Sequence, residues 1–313
     1  MNYIGIDIGG MSIKGGIVSS AGEILKKEVV TTNPWADDDV IVGDIASLIK
    51  SLIGDGAESV KGIGLGIPGT VDGKKGRVSV TPNINLTGTC LVKKLHAYFP
   101  DVPIKISNDA NCAALGEALF GSEKLDDAVL VTLGTGVGTG IILDGKLFEG
   151  NGGAGAEGGH MVIKTGGEKC GCGRRGCWEA YASASALIRQ TRMAAEKNPD
   201  SILAKIVKED GEVNGKTVFK AQSEGCPVAQ KVIKKYLVYV GDGIVNLVNI
   251  FRPKAVIVGG GISKEGERII KPLQAYVNRK AYAPKFSPKV KVMPATLFND
   301  AGIIGAAALV MDI

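Results

Sequence analysis

The residues whose spacing is most specific for chemistry lie in one short stretch. Cys170, Cys172 and Cys177 fall within eight residues, ten positions after His160. Three thiolates and one imidazole make a full tetrahedral set for Zn²⁺, and Gly171, Gly173 and Gly176 supply the turns that aim four donors inward. Four protein ligands leave no open coordination position, so the site reads as structural zinc rather than catalytic zinc. A set of free thiols is the plain alternative. Glu157 precedes His160 by three residues and Glu179 follows Cys177 by two, so a metal knot would bring two carboxylates towards one place, where they suit hydroxyl groups.

Three glycine turns each follow a short apolar run: Asp7-Ile8-Gly9-Gly10, Gly134-Thr135-Gly136-Val137-Gly138 and Gly259-Gly260-Gly261. Glycine admits positive φ and lets a backbone approach a ligand closely, which suits phosphate binding. Each turn alone is equally the geometry of a hairpin or a strand-to-helix bend. Together, with Asp7 at a strand end where it can hold a metal through water, they point to a nucleotide clasped between two halves. No Walker A lysine pattern is present, and no G-x-G-x-x-G opens a helix. Asp109, beside Asn108, follows one strand and begins a helix, so helix cap and general base are both open readings. Strand C-termini are where α/β sheets take ligands.

The elements that must position these residues alternate between strand and helix, an α/β pattern. Residues 3–8, 12–18 and 23–30 read as a β-meander, 40–53 as a helix with apolar residues at helical spacing, and 60–67 as a buried strand. Residues 102–106 form a strand that feeds the helix begun by Asp109. The order strand, glycine turn, strand recurs at residues 128–143, about 125 residues after its first appearance, which suggests an internal duplication. Residues 178–195 and 228–251 read as helices, 255–258 as a strand, and 301–310 as a last helix small enough to pack closely on a sheet. The expected division is an N-terminal domain at 1–113, onto which 301–313 packs back, and a larger C-terminal domain at 114–300.

Glycine is abundant, 45 of 313 residues, against 5% aromatics. No Gly-X-Y period appears, and 45% hydrophobic residues suffice for a large core, so fibre and linker are excluded. The net charge of +5 is dispersed, which favours an anionic small ligand over nucleic acid. The first residues lack a signal-peptide pattern, no run spans a membrane, and the cysteines do not form a disulfide framework, so a cytoplasmic protein without a membrane partner is expected.

The ordered set Asp7-Ile8-Gly9-Gly10, Gly66-Ile67-Pro68-Gly69, Asn108-Asp109-Ala110-Asn111, Leu133 to Gly138, Glu157-Gly158-Gly159-His160 and Cys170-x-Cys172-Gly173-x-x-Gly176-Cys177-x-Glu179 resembles the ROK family of bacterial sugar kinases and repressors. The resemblance runs from Tyr3 to about Val310. It implies an actin-like ATPase fold, with two ribonuclease-H-like domains around a central cleft that takes ATP and a hexose. It implies that Asp109 removes the proton of the sugar 6-hydroxyl, and that Asn108, Glu157, His160 and Glu179 bind sugar hydroxyls, with Gly69 and Asn83 on the other side. One ring nitrogen of His160 would meet zinc and the other the sugar. Gly9, Gly10, Lys14, Gly134, Thr135, Gly136, Gly138 and Gly260 would line ATP, with Mg²⁺ near Asp7.

One departure stands out. Where the family has threonine after the first glycine pair, this chain has Met11 followed by Ser12, so the phosphate contact at Met11 is altered and Ser12 is the candidate substitute. The first strand begins at Tyr3, which leaves no place in this sequence for the helix-turn-helix of family repressors. The expectation is an ATP-dependent hexose 6-kinase, glucose first, and similarity to glucokinases over Pro82 to Leu86 supports that choice. Mannose, fructose and N-acetylhexosamines are the alternative substrates. A non-catalytic sugar-binding regulator is the alternative class, and family members suggest a homodimer or homotetramer.

Overall fold

The computed structural model describes residues 1–10, 12–54 and 60–311; Met11 lies outside the described residues. The chain forms two compact units, one of Met1–Leu130, Gly140–Ala156 and Thr296–Ile313, the other of Val131–Thr139 and Glu157–Ala295.

The first unit opens with β1 (Asn2–Ile8), β2 (Ser12–Ser19) and β3 (Ile24–Thr31), the expected meander. Helix α1 (Asp38–Ile53) buries Ile41, Ile45, Leu48, Ile49 and Leu52 on one stripe, the period that its sequence carries. Strand β4 (Val60–Ile67), the small hairpin β5 (Thr70–Asp72) and β6 (Arg77–Val80), helix α2 (Leu91–His96), strand β7 (Ile104–Asn108) and helix α3 (Asp109–Phe120) follow. The sheet order is β3-β2-β1-β4-β7, with β1 antiparallel to β2 and parallel to β4. The helix α10 (Ala301–Ala308) completes this unit, lying against β1, β4 and α3. It packs backbone to backbone: a Cβ at Gly5 would lie 1.9 Å from the Ile303 carbonyl oxygen, and one at Gly64 1.7 Å from that of Ala306. Part of the glycine excess is this close approach.

The expected cut at 113/114 would divide α3. The structure keeps that helix whole in the first unit, because Gly116 and Gly305 bring its backbone against α10. The partition instead crosses β8 (Ala128–Leu133) and β9 (Val137–Leu143).

With β10 (Lys146–Leu147), β11 (Ala255–Gly259) and β12 (Lys291–Pro294), those strands form a sheet ordered β10-β9-β8-β11-β12. Each five-stranded sheet therefore has the order third, second, first, fourth, fifth, the topology that a duplicated unit requires. The helices are α4 (Glu179–Ala182), α5 (Ala184–Lys197), α6 (Ile202–Asp210), α7 (Thr217–Ser223), α8 (Pro227–Phe251) and α9 (Glu267–Lys280). The single helix expected over 178–195 is broken at Ser183, whose extended backbone and side chain cap α5 by accepting the Ala186 N–H. Among the described residues no helix is long and apolar enough to cross a membrane.

Candidate active site and metal centre

Of the two readings left open for Asp109, the helix cap belongs to its neighbour. Asn108 is the N-cap of α3: its Oδ1 accepts the N–H of Ala110 at 2.9 Å and that of Asn111 at 3.1 Å, and its Nδ2 donates to the Gly69 carbonyl at 3.0 Å. Those bonds use both lone pairs of the oxygen, so one N–H of Asn108 is what this side chain has left for a ligand. Asp109 is the first helical residue, and its Oδ1 accepts the Ala110 N–H at 2.9 Å. Burial pushes its carboxyl above the usual range, with the Asp7 charge adding and the Ala110 N–H opposing. A carboxylate of raised basicity at a strand end is a general-base geometry.

Asp7, next to last in β1, has its Oδ2 3.5 Å from Lys14 Nζ, across the β1–β2 pair that sets Asp7 opposite Lys14. Burial raises its carboxyl and Lys14 lowers it, burial being the larger effect. Gly302 of α10 lies against it, where a Cβ would come within 2.9 Å of Asp7 Cγ. Sequence reasoning missed Gly302, since nothing local connects a glycine in a C-terminal helix with the first strand. The first glycine turn closes by Gly9 N–H donating to the Ser12 carbonyl at 2.9 Å, and Gly10 sits beside exposed Asn83, 3.2 Å from a Cβ position to its Nδ2. Asp7, Gly9, Gly10, Ser12, Lys14, Gly69, Asn83, Asn108 and Asp109 all belong to the first unit.

In the second unit, the turn after β8 is largely engaged with itself. Gly134 N–H donates to the Gly136 carbonyl, Val137 N–H to Glu179 Oε2 at 3.0 Å and Gly138 N–H to Thr132 Oγ1 at 3.2 Å. The Gly138 amide, expected to face phosphate, is thus held by Thr132; the amides of Thr135 and Gly136 are the two in this turn outside those bonds. The carbonyls of Gly134 and Thr135 accept from Ala184 N–H and Ser185 Oγ at the start of α5. Gly260, at φ +84°, lies so close to the Leu133 backbone that a Cβ would meet its carbonyl oxygen at 2.5 Å. Glu179 fills the space beside Gly136, where a Cβ would lie 2.3 Å from its Oε2, so the glycine is required by the carboxylate.

The metal ligands converge. One donor atom from each of His160, Cys170, Cys172 and Cys177 lies within 4.8 Å of the others. His160 Nδ1 is 3.6 Å from Cys170 Sγ, and the Sγ atoms of Cys172 and Cys177 are 3.7 Å apart. A tetrahedron of Zn–S bonds of about 2.3 Å has edges of about 3.8 Å, so the donor set fits zinc. Burial pushes the Cys170 thiol up to about 12, and a bound dication would drive it to thiolate. Because Nδ1 faces the sulfurs, Nε2 is the ring nitrogen left for a second partner. The guanidinium groups of Arg174 and Arg175 donate to the His160 and Gly167 carbonyls, bracing the loop itself.

Glu157 is exposed at the start of the short turn Gly158–His160, and Thr139 Oγ1 accepts the Gly158 N–H at 2.9 Å. The loop is anchored by Trp178, fully buried, whose indole N–H donates to the Tyr239 carbonyl at 2.8 Å while Gly243 gives it room on α8. Trp178 was detectable in the sequence as one of two tryptophans, directly after Cys177.

Residues 3–313 match the ROK family. The chain is 36% identical over 314 residues to the glucokinase of Streptomyces coelicolor, covering 99% of this chain and 97% of that one. It is 30% identical to the xylose repressor of Caldicellulosiruptor bescii, covering 99% of this chain and 78% of the repressor. The crystal structure of a ROK family glucokinase from Streptomyces griseus in complex with glucose and AMPPNP superimposes with a TM-score of 0.82 at 36% identity, covering 99% of each chain. A match from the third residue to the last, at this level of identity, decides membership: the chain belongs to the ROK family and has its actin-like ATPase fold.

Proposed function

We propose that this protein is an ATP-dependent hexose 6-kinase that converts glucose to glucose 6-phosphate. The observation that carries the reading is Asp109: a carboxylate of raised basicity at the head of α3, with the capping work done by Asn108. Similarity to glucokinases over nearly the whole chain supports glucose as the substrate.

In this reading Asp109 takes the proton of the sugar 6-hydroxyl as its oxygen attacks the γ-phosphorus, the bond from that phosphorus to the bridging oxygen breaks, and ADP leaves. Such a transfer depends on placement and charge neutralisation more than on covalent catalysis. Asn108, through its remaining N–H, and Glu157, His160 Nε2 and Glu179 orient sugar hydroxyls, with Gly69 and Asn83 shaping the first unit's side of the sugar. Gly9, Gly10, Ser12, Lys14, Thr135, Gly136 and Gly260 face the nucleotide. Mg²⁺ would neutralise phosphate charge, and a single carboxylate such as Asp7, together with substrate phosphates, is a usual way of holding it. Zn²⁺, held by His160, Cys170, Cys172 and Cys177, would fix the loop that bears Glu157 and Glu179.

The test is ADP release over a panel of glucose, mannose, fructose and N-acetylhexosamines with zinc-loaded protein. Glucose should give the highest kcat/KM, and no turnover on any hexose sinks the reading. Met11 in place of the family threonine favours a second reading, a sugar-binding regulator without catalysis. Calorimetric glucose binding with no ADP release, and turnover gained in Met11→Thr, would select it. All six cysteines are free thiols, which supports a reducing, cytoplasmic setting. We read the protein as a homodimer or homotetramer, to be checked by light scattering.

A further inference from the structure

Glu117 is a buried carboxylate, 3% exposed, that the proposed chemistry does not use. It lies on α3, eight residues and about 12 Å of helix beyond Asp109. Both of its oxygens accept from one short segment. Oε1 takes the N–H of Thr296 at 3.0 Å and that of Leu297 at 2.8 Å; Oε2 takes the Thr296 N–H at 2.9 Å and its hydroxyl at 3.2 Å. Those donors stand where a buried carboxylate otherwise needs a cation. The next residue, Phe298, has φ +48°, a conformation that side-chain-bearing residues seldom adopt. Two residues on, Asp300 pairs with Lys27, and then Gly302 sits against Asp7.

The run from Thr296 to Gly302 is thus fixed at its start by α3, at its middle by β3 and at its end by the Asp7 carboxylate near the end of β1. We infer that Glu117 is a positioning residue for the nucleotide: by clamping Thr296 and Leu297 it sets where α10 begins, and so where Gly302 holds Asp7. This rests on the kinase reading, in which Asp7 serves the metal–nucleotide. Of the sugar-facing residues of the first unit, Gly69 and Asn83 lie on other segments and Asn108 caps α3 at the end away from Glu117, so disturbing the clamp should separate the two ligands.

The experiment is calorimetry of Mg·AMPPNP and of glucose, each alone, on the full chain, with steady-state KM and kcat beside it. Glu117→Gln places an amide N–H₂ where backbone N–H groups aim, and should weaken Mg·AMPPNP about tenfold, the size of one charge-assisted hydrogen bond. Glucose affinity should stay within about twofold, since none of the broken bonds reaches a sugar-facing residue. Thr296→Val removes the hydroxyl donor alone and should shift the nucleotide by about two- to threefold in the same direction. Equal loss for both ligands, or no loss for either, overturns the inference. Should Glu117→Gln fail to fold, Thr296→Val decides: an unchanged nucleotide constant overturns the proposal. Wild-type protein that binds neither ligand refutes the kinase reading and this inference with it, whereas wild-type turnover with unselective variants refutes the inference alone.

Discussion

Replacing Asp109 with asparagine should remove most of the rate and little else. The Oδ1 of Asp109 accepts the Ala110 N–H, and an asparagine oxygen keeps that bond, while the helix cap is made by Asn108 and is untouched. What is lost is a proton acceptor. General-base catalysis contributes about 10²- to 10⁴-fold, so kcat should fall by about 3–5 kcal/mol of barrier while glucose affinity stays nearly constant. The pH dependence follows from the direction of the shift. Burial, with Asp7 adding, raises the Asp109 carboxyl, so the acid limb of kcat/KM should lie above the ordinary aspartate value, activity falling as the carboxyl is protonated. The stability effect has the opposite sense. A raised folded pKa means that the folded state binds the proton more tightly; this contribution is full below the unfolded value and is lost as pH rises through the folded value. At neutral pH the wild type therefore carries a buried charge that asparagine does not, and Asp109→Asn should melt at the same temperature or higher. The measurements are stopped-flow or coupled ADP release, glucose calorimetry and thermal melts at neutral and acid pH. Loss of glucose affinity in proportion to rate, or a marked fall in Tm, would show that Asp109 is structural and refute the argument.

The other predictions concern the metal loop and the closest packing. Zinc analysis should find one ion per chain, and Cys172→Ser or chelation should raise the glucose KM by about tenfold, the range for removing support from a metal site. Both His160 and Glu179 should transmit it, since Glu179 Oε1 lies 3.5 Å from the Cys170 Sγ while its Oε2 is held by the Val137 N–H. Unchanged kinetics with zinc gone would dispose of the coupling. Gly64→Ala should destabilise by about 1–3 kcal/mol or more, read as a lower denaturant midpoint, because its Cβ would lie 1.7 Å from the Ala306 carbonyl oxygen. A midpoint equal to wild type would mean that α10 can move away from β4.

The sequence was most legible where chemistry is local. His160 and the three cysteines are brought together by their own loop, and the meander, α1 and α8 carry the periods that their buried faces demand. Asp109 was ambiguous because a cap and a base use the same residue type at the same place; the bonds of Asn108 show which residue caps α3. The break at Ser183 was hidden because apolar spacing continues across it. Helix α9 carries Pro272 in its interior, which reads as a breaker, and α6 and α7 are too short to show a period. Gly302 and Glu117 could not be read at all, since their meaning comes from partners far away in the chain.

The duplication explains why the two glycine turns resemble each other, yet their chemistry has separated. Both follow the first strand of a sheet with the same strand order. After β1 the turn keeps a carboxylate and an ammonium, Asp7 and Lys14, in contact at its root, a pair suited to a metal and to phosphate charge. After β8 the corresponding strand has no acidic residue, and Thr132 and Glu179 instead bind the amides of Gly138 and Val137. Those two bonds tie down the backbone and leave the Thr135 and Gly136 N–H groups outside them. An ancestral pair of equal turns would offer a nucleotide the same charge twice. In the kinase reading proposed above, the first turn would supply ionic groups and the second backbone dipoles, so substitutions should differ in kind: Lys14 in salt dependence, Thr132 in order of the turn.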